Sequence, residues 1–292
     1  MKIRVPASSA NLGPGFDCFG IAWQLYNELE FELCGYGLSI VGCEEKYRNR
    51  ENPAYTAYKA ALERCGVEEQ GLRISFGDTE IPISRGLGSS SALLVAGLLA
   101  ANALHSLGLS KEELLDIAAA LEGHPDNVAP ALCGGLSASA MVAGKPVSVP
   151  FPVSDKLRFT ALIPPFELST PKARAVLPHY VPREDAIFNV SRASLLLSAL
   201  GSGDISLLRA AMADRLHEPY RVGLIPGFDT VRGLAYKCGA ASLCVSGAGP
   251  SLLCVSGDPL FTGRISAELE EALPDWQVLP LNVAEKGAYI VE

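Results

Sequence analysis

Between Trp23 and Leu33 the chain alternates: Trp23, Leu25, Leu29, Phe31 and Leu33 fall on one phase, Gln24, Glu28, Glu30 and Glu32 on the other. That period of two predicts a strand or hairpin arm with one wet face. Ahead of it, Lys2 to Val5 reads as a short strand, and Pro6 to Gly20, rich in glycine and serine, as an irregular turn. Pro53 to Cys65 has the pattern of a helix and Leu72 to Phe76 that of a strand. The segment after Ala92, to about Leu107, is apolar nearly all round, so it predicts a buried central helix. Ser110 with Glu113 forms a capping box, and Leu114, Leu115, Ile117, Ala118 and Leu121 give the following helix an apolar face that stops at Gly123. Val128 to Met141 reads as an apolar, glycine-rich strand region.

Prolines 150 and 152 interrupt the pattern and mark a boundary, giving an N-terminal domain over 1–150 and a C-terminal one over 151–292. Beyond it come a strand at Leu157 to Ile163, helices at Asp185 to Leu200, Asp204 to Arg215 and Thr230 to Cys238, strands at Ser242 to Ser246 and Leu252 to Ser256, a helix at Thr262 to Leu273 and a strand at Gln277 to Val283. With extra helices set aside, this is the β-α-β-β-α-β order of a ferredoxin-like, split βαβ domain. The expected class is α+β.

Charge and composition narrow the function. A net charge of -8 excludes a general nucleic-acid binder, which needs a basic surface. The longest apolar run, Ala92 to Ala101, is too short to span a bilayer, and no basic-plus-apolar leader opens the chain, so the expected setting is cytoplasmic. Eight cysteines include no C-x-x-C pair, which argues against zinc held by cysteine.

The chemistry concentrates in Pro82-Ile83-Ser84-Arg85-Gly86-Leu87-Gly88-Ser89-Ser90-Ser91-Ala92. Gly86 and Gly88 permit positive φ and close approach of the backbone, and Ser89 stands where a helix N-cap belongs. A glycine turn entering a helix is an anion site, and the further serines can serve phosphate oxygens or a hard cation. The stretch lacks the Gly-Lys-Ser/Thr ending of a P-loop. A second cluster, Glu122-Gly-His124-Pro-Asp126-Asn127-Val, carries more polar groups than a helix-end turn requires. Two more glycine-rich stretches lie at Pro6 to Asp17 and at Ser246-Gly247-Ala-Gly249-Pro-Ser251.

In this order and spacing the three glycine-rich stretches resemble the motifs of the GHMP small-molecule kinases. Leu121 to Pro130, Glu167 to Pro178 and Glu218 to Phe228 are similar to the homoserine kinase branch of that superfamily, and the likeness covers nearly the whole chain. The resemblance implies a two-domain GHMP kinase fold, an N-terminal mixed α/β domain with the phosphate loop and a C-terminal ferredoxin-like domain. It also implies ATP and Mg²⁺ as cofactors and phosphorylation of the L-homoserine hydroxyl on the way to threonine. By family position, Pro82 to Ala92 and Asn52 bind ATP, with Arg85 assisting, and Ser89 or Ser90 with Glu122 holds the metal. Thr170, Arg174 and Arg221 take the substrate carboxylate and Asn11 and Asp17 its ammonium, while His124 and Asn127 stand beside the reacting hydroxyl. Without the resemblance, Arg174 and Arg221 read as solvated helix arginines. Asp126 is expected to brace the turn. Ser91 departs from the family pattern, which has a small apolar residue there. The expected partner is a small molecule, not nucleic acid or membrane, and the chain is a candidate homodimer. A kinase for another small alcohol, or a silent metabolite-binding relative, is the alternative.

Overall fold

A computed structural model of the chain describes residues 1–291. Its first sheet is built around β1 (Lys2–Ala10) and β2 (Phe19–Cys34), antiparallel neighbours. The alternating segment lies in the middle of β2, with Trp23, Leu29 and Phe31 fully buried. Asn27 occupies the inward phase among them, is buried as well, and accepts the Ile81 N–H at 3.1 Å. The expectation that β1 ends at Val5 was too short. Pro6 to Ala10 continue the strand with every residue buried, so both faces are covered and no alternation shows.

β3 (Leu38–Val41) and β4 (Gly71–Thr79) extend the sheet on one side of β2. The hairpin β5 (Leu136–Val142) and β6 (Lys145–Phe151) joins the first residues of β2, Phe19 to Ile21. The prolines expected to break the chain do not do so at Pro150. β6 pairs with β5 alone, Pro150 opposite Ser137, and an edge strand tolerates proline because its outer side donates no ladder bond.

Helices cover this sheet. α1 (Pro53–Cys65) begins at an Asn52 cap, whose side chain accepts the Ala54 N–H, with proline at the first turn, and ends at Gly66 in the left-handed region. α2 (Ser89–Leu104) is buried along most of its length, as its composition predicts. It lies against α1 so closely that a methyl group at Gly97 would come 1.9 Å from the Ala54 carbonyl oxygen. α3 (Lys111–Glu122) has the full Ser110–Glu113 capping box and stops at left-handed Gly123. The region read as strand from Val128 instead opens with a short buried helix, α4 (Val128–Cys133).

The second sheet contains β7 (Arg158–Ile163), β8 (Ser242–Val245), β9 (Leu252–Ser256) and β10 (Gln277–Leu281) in the order β10-β7-β9-β8, all antiparallel. Between β7 and β8 run α5 (Thr170–Ala175), α6 (Arg183–Ser202), α7 (Ile205–Ala211), α8 (Glu218–Arg221) and α9 (Phe228–Lys237). α10 (Phe261–Ala272) connects β9 to β10, which completes the split βαβ order. The chain then returns to the first sheet, where β11 (Tyr289–Val291) pairs with β1. One apolar core joins the two sheets, and the rings of Trp23 and Phe159 meet at 5.1 Å within it. Among the described residues no helix is long and apolar enough to cross a membrane.

Candidate active site

The three glycine-rich stretches meet where the end of β1 passes the start of α2. Ser8 N–H donates to the Leu87 carbonyl at 3.1 Å, Gly247 N–H to that of Ala10 at 3.0 Å, and Ser251 N–H to that of Arg85 at 3.3 Å. The Ser246 hydroxyl donates to the Gly86 carbonyl at 2.6 Å and contacts the Ser9 hydroxyl at 2.7 Å. Gly86 and Gly88 do have positive φ, 76° and 71°. Close packing supplies a second reason for glycine. A Cβ on Gly86 would lie 2.3 Å from the Ser246 carbonyl oxygen, and one on Gly88 would lie 2.0 Å from Ser8 Oγ. The cap of α2 is therefore Gly88, and Ser89, expected as the N-cap, is its first helical residue. The first backbone donor to bond back is Ala92 N–H, to Gly88, so the N–H groups of Ser89, Ser90 and Ser91 stay available at the positive end of the helix.

These groups open on a cavity of about 650 Å³. Of the expected ATP residues, Asn52, Pro82 to Gly86 and Gly88 to Ser91 line it; Leu87 and Ala92 instead turn their side chains into the core. Glu122, Asn127, Thr170, Gly247 and Gly249 line it as well. Its walls also include Asn27, Cys43, Tyr47, Phe76, Thr79 and Ile81, which no motif announced. Asn27 had a signal in retrospect, a carboxamide on the apolar phase of a strand. The Asn52 side chain is committed to the Ala54 N–H and the Tyr47 carbonyl, so it shapes this wall without a free amide group. Arg85 does not face the loop's anion site. Its guanidinium donates to the carbonyls of Ile83, Pro164 and Pro165, tying the loop to the chain after β7.

Glu122 ends α3 beside the first turn of α2, where burial pushes its carboxyl up from the ordinary value. Its hydroxyl partner is Ser91, at 3.0 Å, the serine that departs from the family pattern. Ser89 and Ser90 keep their hydroxyls free of protein partners among the described residues, and both line the cavity with Glu122. A carboxylate and two hydroxyls around a triphosphate-sized space make a hard-oxygen set suited to Mg²⁺.

A second group of charges lies next to this cavity. Arg174 grips Asp17 through two bonds, 2.6 and 3.1 Å. Ligand atoms of Asp17, His124 and Asp126 lie within 4.8 Å of one another. His124 Nδ1 is bound to the buried Asp126 carboxylate. Burial alone would lower the His124 pKa, but the Asp126 bond and charge outweigh it and the net shift is upward. Asn11, with φ 70°, donates to the Gly247 carbonyl at 2.6 Å and accepts the Asp17 N–H at 3.0 Å, so both ends of its amide are engaged in holding the turn. Asn127 accepts from the Ser8 hydroxyl at 2.9 Å. Arg221 is only 1% exposed, contrary to a solvated helix arginine, because carbonyls from Ala173 and Gly247 enclose it. The rings and cations gather on Phe16, another residue the motifs left unassigned: the guanidiniums of Arg174 and Arg221 lie 5.6 and 5.3 Å from its centroid.

Comparison with known proteins bears on the family and the fold. The family model for the GHMP kinases N terminal domain matches residues 52–135, and that for the GHMP kinases C terminal matches residues 196–273. A homoserine kinase of Clostridium botulinum (strain ATCC 19397 / Type A) is 42% identical over 292 residues, covering 99% of this chain and 98% of that one. The crystal structure of homoserine kinase from Cytophaga hutchinsonii ATCC 33406 superimposes with a TM-score of 0.88 at 30% identity, covering 100% of this chain and 97% of that one. The L. major mevalonate kinase structure, at 18% identity and a TM-score of 0.74 over 98% of this chain and 96% of that one, shares the fold.

Proposed function

Since this chain belongs to the homoserine kinase family of the GHMP kinases, whose members are ATP-dependent kinases, we propose that it moves the terminal phosphoryl group of ATP onto the side-chain hydroxyl of L-homoserine. The products are ADP and O-phospho-L-homoserine, a precursor in threonine biosynthesis. The observation that carries this reading is the charge arrangement next to the cavity, where the Arg174 and Arg221 guanidiniums stand over the Phe16 ring and Asp17 pairs with Arg174. An anion and two cations match the ammonium and carboxylate of an amino acid. A sugar or a plain alcohol has no use for both.

In this reading the N–H groups of Ser89, Ser90 and Ser91 receive phosphate oxygens at the α2 N-terminus. Mg²⁺, when bound to the Ser89 and Ser90 hydroxyls and Glu122, supplies positive charge that the loop lacks a lysine to provide. Ser91 holds one Glu122 oxygen and so turns the other toward the cavity. Arg174 and Arg221, with Thr170, draw in the carboxylate, and Asp17 exchanges part of its bond to Arg174 for the substrate ammonium. Asn11 fixes Asp17 by its backbone. Asn127, steadied by Ser8, and His124, steadied by Asp126, flank the hydroxyl. Phosphoryl transfer through a loose transition state depends mainly on positioning and electrostatics, which is what these residues offer. Release of ADP, measured in a coupled assay with L-homoserine, D-homoserine, L-serine, L-threonine, mevalonate and galactose, tests the proposal. Mg²⁺-dependent turnover selective for L-homoserine is expected, and preference for an alcohol without an amino acid group would overturn it.

A further inference from the structure

His217 has no part in the chemistry above, yet its side chain touches both the first glycine-rich turn and the Arg221 guanidinium. It is completely buried at the start of α8, four residues before Arg221. Its ring stacks on Phe16 with centroids 5.2 Å apart and planes 22° from parallel. Nε2 lies 2.8 Å from the Gly13 carbonyl oxygen, and Nδ1 lies 3.2 Å from Arg221 Nη1.

These two contacts dictate the state of the ring. A carbonyl can only accept, so Nε2 must carry the proton; a guanidinium can only donate, so Nδ1 must offer a lone pair. Only the neutral Nε2–H tautomer satisfies both. A doubly protonated ring would set an N–H against the guanidinium. The nearby Asp214 does not compete for this role, because its two oxygens already accept from Asn189 and from the N–H groups of Leu216, His217 and Glu218. Burial holds the His217 pKa below its ordinary value, which agrees with a neutral ring although the Asp214 charge opposes it.

The Arg221 donors are nearly all spoken for on one side of the fork. Nε–H goes to the Ala173 carbonyl at 3.3 Å, and the two Nη1 hydrogens go to the Gly247 carbonyl at 3.1 Å and to His217 Nδ1. Both Nη2 hydrogens remain without a partner among the described residues. Without His217 one Nη1 hydrogen would be unpaired in the interior, and the fork would be free to turn.

We infer that His217 is a positioning residue for the amino-acid substrate: as a neutral acceptor it fixes the rotation of Arg221 so that Nη2 presents two N–H groups to the substrate carboxylate. The inference rests on the assignment of Arg221 to that carboxylate. It separates the two ends of the imidazole, which single variants can remove one at a time. In His217→Gln the amide reaches the Nε2 position and keeps the Gly13 contact while losing the acceptor for Arg221. In His217→Asn the carbonyl oxygen falls near Nδ1 and keeps the acceptor while losing Gly13.

The test is steady-state kinetics for both variants beside Arg221→Gln and the unmodified enzyme, with thermal melting of each. His217→Gln should raise KM for L-homoserine roughly tenfold to a hundredfold, the worth of one hydrogen bond to a charged group, with KM for ATP unchanged. His217→Asn should restore most of that loss. Equal KM values in His217→Gln and the unmodified enzyme, or equal losses in both His217 variants, would overturn the inference. If Arg221→Gln itself leaves KM for L-homoserine unchanged, the carboxylate assignment is what fails. A measurement on the unmodified protein covers the case in which the variants do not fold. Correlation of ring nitrogens and protons in ¹⁵N-histidine-labelled enzyme near neutral pH should show a neutral ring protonated at Nε2, and a charged or Nδ1–H ring would refute the proposal.

Discussion

Glu218 gives a quantitative test of how the Arg221 helix is anchored. It is the first residue of α8, and its carboxyl accepts the Val245 N–H at 2.6 Å, tying the helix to the strand that leads into the third glycine loop. Although the residue as a whole keeps some surface, the carboxyl is enclosed. Burial, assisted by the Asp214 charge and opposed by the Val245 bond and Arg221, pushes its pKa from 4.5 to about 8. An acid with a raised pKa stabilises the fold fully below its unfolded value, and that contribution is lost as pH rises through the folded value. The window therefore runs from about 4.5 to about 8. Each pH unit in it is worth about 1.4 kcal/mol for one proton, so the loss is on the order of several kcal/mol. Glu218→Gln retains the acceptor for Val245 and has no proton to release. Urea unfolding of both proteins at mildly acidic and mildly alkaline pH measures the difference between their stabilities. That difference should shift in favour of the variant as pH rises. Comparing the two proteins cancels His217, whose lowered pKa acts in the opposite sense at the acid end. Parallel pH profiles would show that Glu218 does not titrate across this window and that the carboxyl is solvated.

Gly88→Ala should cost about 1–2 kcal/mol for its left-handed backbone, plus the overlap with Ser8 Oγ, while Ser8→Ala should cost about 1 kcal/mol for its bond to Asn127. Because the two substitutions share that overlap, the double variant should lose less stability in thermal melts than the singles together, and strict additivity would refute the close contact. Glu122→Gln should lower kcat roughly a hundredfold or more, as expected if it holds the cation that offsets charge at the reacting centre, whereas Asp126→Asn keeps an acceptor for His124 and should retain most turnover. An Asp126→Asn loss as deep as that of Glu122→Gln would move Asp126 into the reaction.

What could be read from the chain was set by the range of the interactions concerned. α1 and α3 were legible to the residue at several ends because Asn52-Pro53, the Ser110–Glu113 box and Gly123 are local devices whose partners lie within one turn. The three glycine stretches were legible as motifs, but their glycines answer partly to neighbours more than 150 residues away: Gly86 to Ser246, and the Ala10 carbonyl to Gly247. The second half of β1 was missed because its small residues are buried on both faces, and Pro150 misled because nothing local marks β6 as an edge. The same division separates the residues able to do chemistry from those that hold them. Asp17, Glu122, Arg174 and Arg221 declare themselves by charge within recognisable motifs. The groups that touch them, Phe16, Ser91, His217 and the Ala173 and Gly247 carbonyls, carry no charge and meet their partners only when the fold brings them together. A buried guanidinium costs free energy unless its donors are paired, so each such carbonyl near Arg221 is as necessary to the site as the charge it receives. If Arg221 receives the substrate carboxylate as proposed, changes at Gly13 or Ala173 that move a carbonyl should be felt as lost affinity for the amino acid before any loss of ATP binding, although neither residue carries a charge that marks it in the sequence.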